Sequence, residues 1–203
     1  LEFVALRIVD IHPFSGPVTG GTSVTLVGHG FQLGGLGCKF GDHQRIIQAV
    51  RMSSYRIRCS APPYPVTGWV TIEIHSFGGI AESASAFFYQ ATISTSLTEG
   101  DQDAENPRTP ASGGTALAPP LGPVEGGTIV TVTGQNFVNI ASLSCRFGAA
   151  HYTVIARYLT SRTLECVAPP HDAGQVAVQL SLNGQQFVNL GATYLYHEVP
   201  IIY

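Results

Sequence analysis

Charge is scarce in this sequence. Asp, Glu, Lys and Arg make up 11% of its 203 residues, where a soluble domain usually carries about 25%. The net charge is −3 and no run of Lys or Arg occurs. A phosphate backbone is held by clustered positive charge, so nucleic acid is not an expected partner. No stretch approaches the roughly 18 consecutive apolar residues of a membrane-spanning helix, so this piece is expected to make no membrane contact of its own. No leader-peptide pattern is visible. The chain opens on Leu1 rather than Met and is read as a fragment of something longer. N-x-[ST] is absent, which removes the expectation of N-glycosylation.

Reactive chemistry is missing as well. Neither G-x-S-x-G nor H-E-x-x-H occurs, so the two commonest hydrolase signatures are excluded. Gly28, Gly30 and Gly34 have the wrong spacing for a phosphate loop, and no helical pattern follows them. The seven histidines, His12, His29, His43, His75, His151, His171 and His197, show no metal-ligand spacing. Asp101, Asp103 and Glu105 resemble the start of a calcium loop, but Asn106 stands where its glycine should be and Ser112 at its last ligand position. Carboxylates are otherwise few and unpaired. No catalytic residue, metal or cofactor is expected, and the chain is read as no enzyme.

What the chain does hold is a repeat. Residues 16–31 read GPVTGGTSVTLVGHGF and residues 122–137 read GPVEGGTIVTVTGQNF, an offset of 106. Cys38-Lys39-Phe40-Gly41 matches Cys145-Arg146-Phe147-Gly148, and Cys59-Ser60-Ala61-Pro62-Pro63 matches Cys166-Val167-Ala168-Pro169-Pro170, both at 107. Gly68-Trp69-Val70-Thr71-Ile72 matches Gly174-Gln175-Val176-Ala177-Val178 at 106. A period this long means a duplicated domain rather than a solenoid.

Within each copy the apolar period is two, the period of a strand. Val24 and Leu26, Val130 and Val132, then Val70, Ile72 and Ile74, and Val176, Val178 and Leu180 form the candidate core. Their neighbours, Trp69 and Glu73 among them, face outward. Gly20-Gly21 and Gly126-Gly127 are expected in tight turns with positive φ. Pro62-Pro63 and Pro169-Pro170 cannot donate to a ladder and should stop the strand before them.

The order I-x-x-I-x-P, G-P-x-x-G-G-T-x-V-T-x-x-G-x-x-F, C-[KR]-F-G, C-x-A-P-P, G-x-V-x-[IV] resembles the IPT/TIG family. Ile8, Ile11 and Pro13 fit its opening in copy one, whereas copy two carries Leu117-Ala118-Pro119-Pro120 there. The resemblance covers about 160 residues. It implies an all-β fold, two Ig-like sandwiches in tandem. Such modules occur in plexins, Met-type receptor kinases, fibrocystin-like surface proteins and Rel-type transcription factors. Fold carries little information about function by itself.

Cys38 and Cys59 are 21 apart, as are Cys145 and Cys166. Of the three pairings open to four cysteines, the repeat favours Cys38–Cys59 and Cys145–Cys166. The resemblance to surface-receptor members implies bridges at these places, and bridges imply an oxidising compartment. The competing reading is two pairs of buried free thiols in an intracellular protein.

The expected organisation is a first domain over 5–90, a polar linker over 91–116 and a second domain over 117–198. Residues 199–203 are read as the opening of a further module. The leading functional expectation is a non-enzymatic interaction or spacer module from the extracellular region of a cell-surface receptor or adhesion protein. Its partner would be a protein or neighbouring repeats. Competing readings are a carbohydrate-binding accessory domain, a Rel-type DNA-binding or dimerisation region, and an intracellular scaffold with reduced cysteines. The candidate interface residues are Trp69 and Tyr64. Against an anchoring role, Trp69 is expected to lie over Pro63, Pro65 or Tyr64 of the preceding loop, because Trp buries its bulk when it can.

Overall fold

The computed structural model describes residues 6–31, 34–76, 79–93 and 116–198 of the chain, without the side chains of 82–85 and 116. Most of the stretch read as a linker, and residues 199–203, therefore lie outside the described residues. The chain divides into two compact units, Leu1–Thr92 and Ile93–Tyr203. Each described unit is built from nine strands and contains no helix.

In the first unit these are β1 (Arg7–His12), β2 (Ser15–Pro17), β3 (Ser23–His29), β4 (Gly37–Phe40), β5 (Ile47–Gln48), β6 (Val50–Ser53), β7 (Arg56–Ser60), β8 (Gly68–Ser76) and β9 (Gly79–Gln90). The second unit repeats them in order: β10 (Ala116–Ala118), β11 (Leu121–Pro123), β12 (Ile129–Thr133), β13 (Ser144–Phe147), β14 (Thr153–Ile155), β15 (Arg157–Thr160), β16 (Thr163–Val167), β17 (Gly174–Ser181) and β18 (Val188–His197).

The second unit is a sandwich of one sheet ordered β10-β12-β16-β15 and another ordered β11-β18-β17-β13-β14. The first unit has the same two halves, β1-β3-β7-β6 and β2-β9-β8-β4-β5. There the halves are joined into one continuous ladder by a parallel contact of Ile8 with Ser83. In each unit the opening segment crosses between sheets. Thus β1 runs antiparallel to β3, while β2 runs parallel to β9. The same change of partner occurs from β10 to β11.

Alternation places the apolar set inside. Val24, Leu26, Ile72, Ile74, Val130, Val132, Val178 and Leu180 are fully buried, and Val70 nearly so. Val176 is half-buried and packs against the second core. Leu117 pairs with Val132 as Ile11 pairs with Leu26, so β10 fills the place of β1 despite its different residues. Ile93 is buried in the second unit's core cluster.

Gly20 and Gly126 show why the G-G turn needs glycine. Both have φ near +75°. A Cβ on either would lie 2.5–2.6 Å from the backbone of the Pro62-Pro63 or Pro169-Pro170 segment. The neighbouring amides close the turn: Gly21 N donates to Ala61 O and Gly127 N to Ala168 O, each at 2.8 Å. The prolines end β7 and β16 and face these turns.

Cys38 is bonded to Cys59 and Cys145 to Cys166, with Cα separations of 6.4 and 6.3 Å. Each bridge ties β4 to β7, or β13 to β16, across the two sheets of its own sandwich. All four sulfurs are buried and no free cysteine remains.

Candidate functional site

Core aromatics sort by position rather than by type. On β9, Phe87 and Tyr89 point inward and Phe88 outward. On β18, Tyr194 and Tyr196 point inward and Leu195 outward. The Tyr89 hydroxyl donates to Pro62 O at 2.9 Å, and its ring stacks on Tyr64 at 4.6 Å. Burial, with Tyr64 beside it, pushes the Tyr89 phenol well above its ordinary range. Tyr196 is raised in the same way, with Tyr194 and Tyr152 as its neighbours. His171 takes the place of Tyr64 in the second unit and stacks on Tyr196 at 4.8 Å. Neither phenol is poised to ionise; both act as packing groups.

Tyr64 is half-buried against the first core. It also lines a shallow depression with Asp42, His43 and Arg45 at one end of the sandwich. The second unit has a matching hollow lined by Glu125, Tyr152, His171 and Asp172. Among the described residues, no three His, Cys, Asp or Glu side chains converge as a metal site would require.

Trp69 faces outward, as strand alternation places it. Its ring neighbours are Phe88, 4.9 Å away at a tilt of 50°, and Phe14, 6.4 Å away and nearly parallel at 16°. The register explains this. Trp69 sits directly opposite Phe88 across the β8–β9 ladder, and Phe88 N donates to Phe14 O at 2.8 Å. Three aromatics thus meet on the outer face of the β2-β9-β8 sheet. Trp69 is 63% exposed and Phe14 45%. Phe14 lies 55 positions before Trp69, in the short bend between β1 and β2, and nothing local in the sequence announced it.

The other unit has the same backbone without the aromatics. Gln175 is opposite Leu195, and Leu195 N donates to Pro120 O at 3.0 Å. Pro120, Gln175 and Leu195 stand where Phe14, Trp69 and Phe88 stand. The cluster is therefore something added to the fold, not something the fold needs.

The family model for the IPT/TIG domain matches residues 6–89 and again 112–196. The chain belongs to the IPT/TIG family. Human plexin-A3 is 27% identical over 212 aligned positions, which cover 97% of this chain and 10% of that protein. Mouse plexin-A3 matches at the same identity and coverage. The chain thus spans about a tenth of the length of these curated relatives. A solved structure of the plexin A4 extracellular region shares the fold. Its TM-score is 0.58 at 19% identity, covering 96% of this chain and 16% of that one. Two disulfide-bridged IPT/TIG modules belong to an oxidising compartment, and the chain is extracellular. The reading with buried free thiols does not fit the bonded pairs.

Proposed function

We propose that the chain is a non-enzymatic interaction and spacer module within the extracellular region of a larger cell-surface receptor or adhesion protein. In this reading the first unit binds a protein partner through the aromatic cluster around Trp69. The family matches and the plexin relatives support the class. The cluster itself is the observation that carries the site. An exposed Trp braced by two Phe side chains presents a large apolar surface that is already ordered. Its desolvation on docking is favourable, and little rotamer entropy remains to be lost. The stiff, bridged sandwich behind it holds the rings in place. The second unit, with Gln175 there, serves as spacer and as internal control.

The test is a binding screen of the chain against displayed extracellular proteins, repeated with Trp69→Ala and Phe14→Ala. Binding should weaken on the order of 30-fold for Trp69→Ala, the scale of an interface anchor. The melting temperature should hold, because most of the ring is already in water. Partners that bind both variants as tightly as the parent would place the interface elsewhere.

A further inference from the structure

The opposite face of the first sandwich has a different chemistry. Strand alternation turns Arg56 and Arg58 outward on β7, with Ile57 and Cys59 inward. Their Cα atoms are about 7 Å apart along the strand. Arg58 lies beside Thr25, and Arg56 beside Val27, on β3. Two strands away, Arg7 is exposed on β1, about 12 Å from Arg56 by strand spacing and rise. None of the three forms an ion pair among the described residues. Among the described residues the one carboxylate on this face, Asp10, accepts a hydrogen bond from Ile11 N at 2.9 Å. Ser23 and Ser60, paired across β3 and β7, leave the face polar and low beside the arginines.

The second unit lacks this strip. Thr163 and Glu165 replace Arg56 and Arg58, and Ile129 and Val167 replace the serine pair. Glu165 is neutralised by Arg157 at 3.0 Å. The strip is thus a property of one module, and it is invisible as a sequence run because each arginine alternates with a core residue.

We infer that the outer face of β1-β3-β7 in the first unit is a binding strip for a sulfated polysaccharide. Planar guanidinium forks without internal partners match sulfate groups, whose oxygens accept two parallel N–H bonds. A row of single charges on a flat, rigid, hydroxyl-lined surface suits a linear polyanion lying across the strands. A protein partner would want a central apolar anchor. On this face the exposed large apolar residues, Val9 on β1 and Val50 and Met52 on β6, flank the strip, and none lies on β3 or β7 between them. The strip lies on the other sheet from Trp69, so this inference stands independently of the aromatic docking site.

The experiment uses the whole 203-residue chain on immobilised heparin at about 50 mM salt, where polyanion contacts are strong. The arms are the parent chain, Arg56→Thr with Arg58→Thr, and Arg45→Gln with Arg162→Gln as a control of equal net charge. Threonine already occupies the matching position 163 on this strand in the second unit, and unchanged melting confirms folding. The parent and the control should be retained and eluted by added salt. The double threonine variant should lose on the order of tenfold in affinity and elute with a shallower salt dependence. Desulfated heparin and polyglutamate should retain the parent weakly or not at all. The inference fails if the parent is not retained, or if the threonine variant and the control behave alike. It also fails if polyglutamate binds as tightly as heparin, since the face would then serve an acidic polypeptide.

Discussion

The two units share nine strands, a bridge and a G-G turn, yet differ at many of the positions that face water. Phe14, Trp69 and Phe88 in one become Pro120, Gln175 and Leu195 in the other. Arg56 and Arg58 become Thr163 and Glu165. Buried positions differ too, mostly by exchange of one aliphatic for another, as Leu26 for Val132 or Ile57 for Leu164; the polar exception is Phe87, whose counterpart Tyr194 is fully buried with a hydroxyl that has no partner. The backbone tolerates all of these exchanges without losing register. What is common to both units specifies folding; what is peculiar to one is where binding should be sought.

Removing a bridge should give the largest effect. Cys145→Ala with Cys166→Ala opens a loop of 21 residues and should cost the second unit about 3 kcal/mol. Calorimetry should show that unit's transition falling while the other stays in place. If both fall together, the units do not fold independently. Next, Gly126→Ala should cost about 2 kcal/mol or more, since its Cβ would strike backbone. Gly127→Ala, with φ +83° but open space around it, should cost only about 1 kcal/mol of left-handed strain. Chemical denaturation of the pair separates collision from conformation.

The tyrosines sharpen the contrast further. Tyr89→Phe deletes a buried hydrogen bond to Pro62 and should destabilise the first unit by about 1 kcal/mol. Tyr194→Phe removes an unpartnered hydroxyl and gives the second core the residue the first has at that position. It should be neutral or stabilising by up to about 1 kcal/mol. The smallest effect concerns acid. Glu73 accepts hydrogen bonds from His75 and Lys39 at 3.0 and 3.4 Å, and these hold its carboxyl below the ordinary value of 4.5. Its contribution is complete above that value and is lost as pH falls through the lowered one. The second unit has Gln179 in its place. Below about pH 4.5 the first unit should therefore lose slightly more stability than the second, and Glu73→Gln should abolish that excess. Parallel acid titrations of the parent and the variant measure it.

Much of the fold was legible because the duplication separates signal from noise. Inward positions such as Val24 and Val130 agree between copies, whereas outward ones such as Ser23 and Ile129 do not. The strand at 116–118 was harder to read. Leu117-Ala118-Pro119-Pro120 departs from Ile11-His12-Pro13-Phe14, and only the pairing of Leu117 with Val132 identifies it. The candidate site was half legible. Alternation turns Trp69 outward, but its ring neighbours, Phe88 across the ladder and Phe14 in a distant bend, are contacts that no local window contains. Tyr64 has the opposite history: it is half-buried, and its ring serves the core by stacking on Tyr89.

The parallel pairing of β2 with β9, and of β11 with β18, bears on how each unit would carry a pulling load. The entering and leaving segments lie side by side and run the same way, joined by bonds such as Val18 N to Gln90 O at 2.9 Å and Val124 N to His197 O at 3.0 Å. Tension applied along the chain drags these segments in opposite directions. The rungs between them are then sheared together rather than unzipped singly, and behind them stands a covalent staple between the sheets. A module wired in this way resists stretching with its weakest bonds acting in concert.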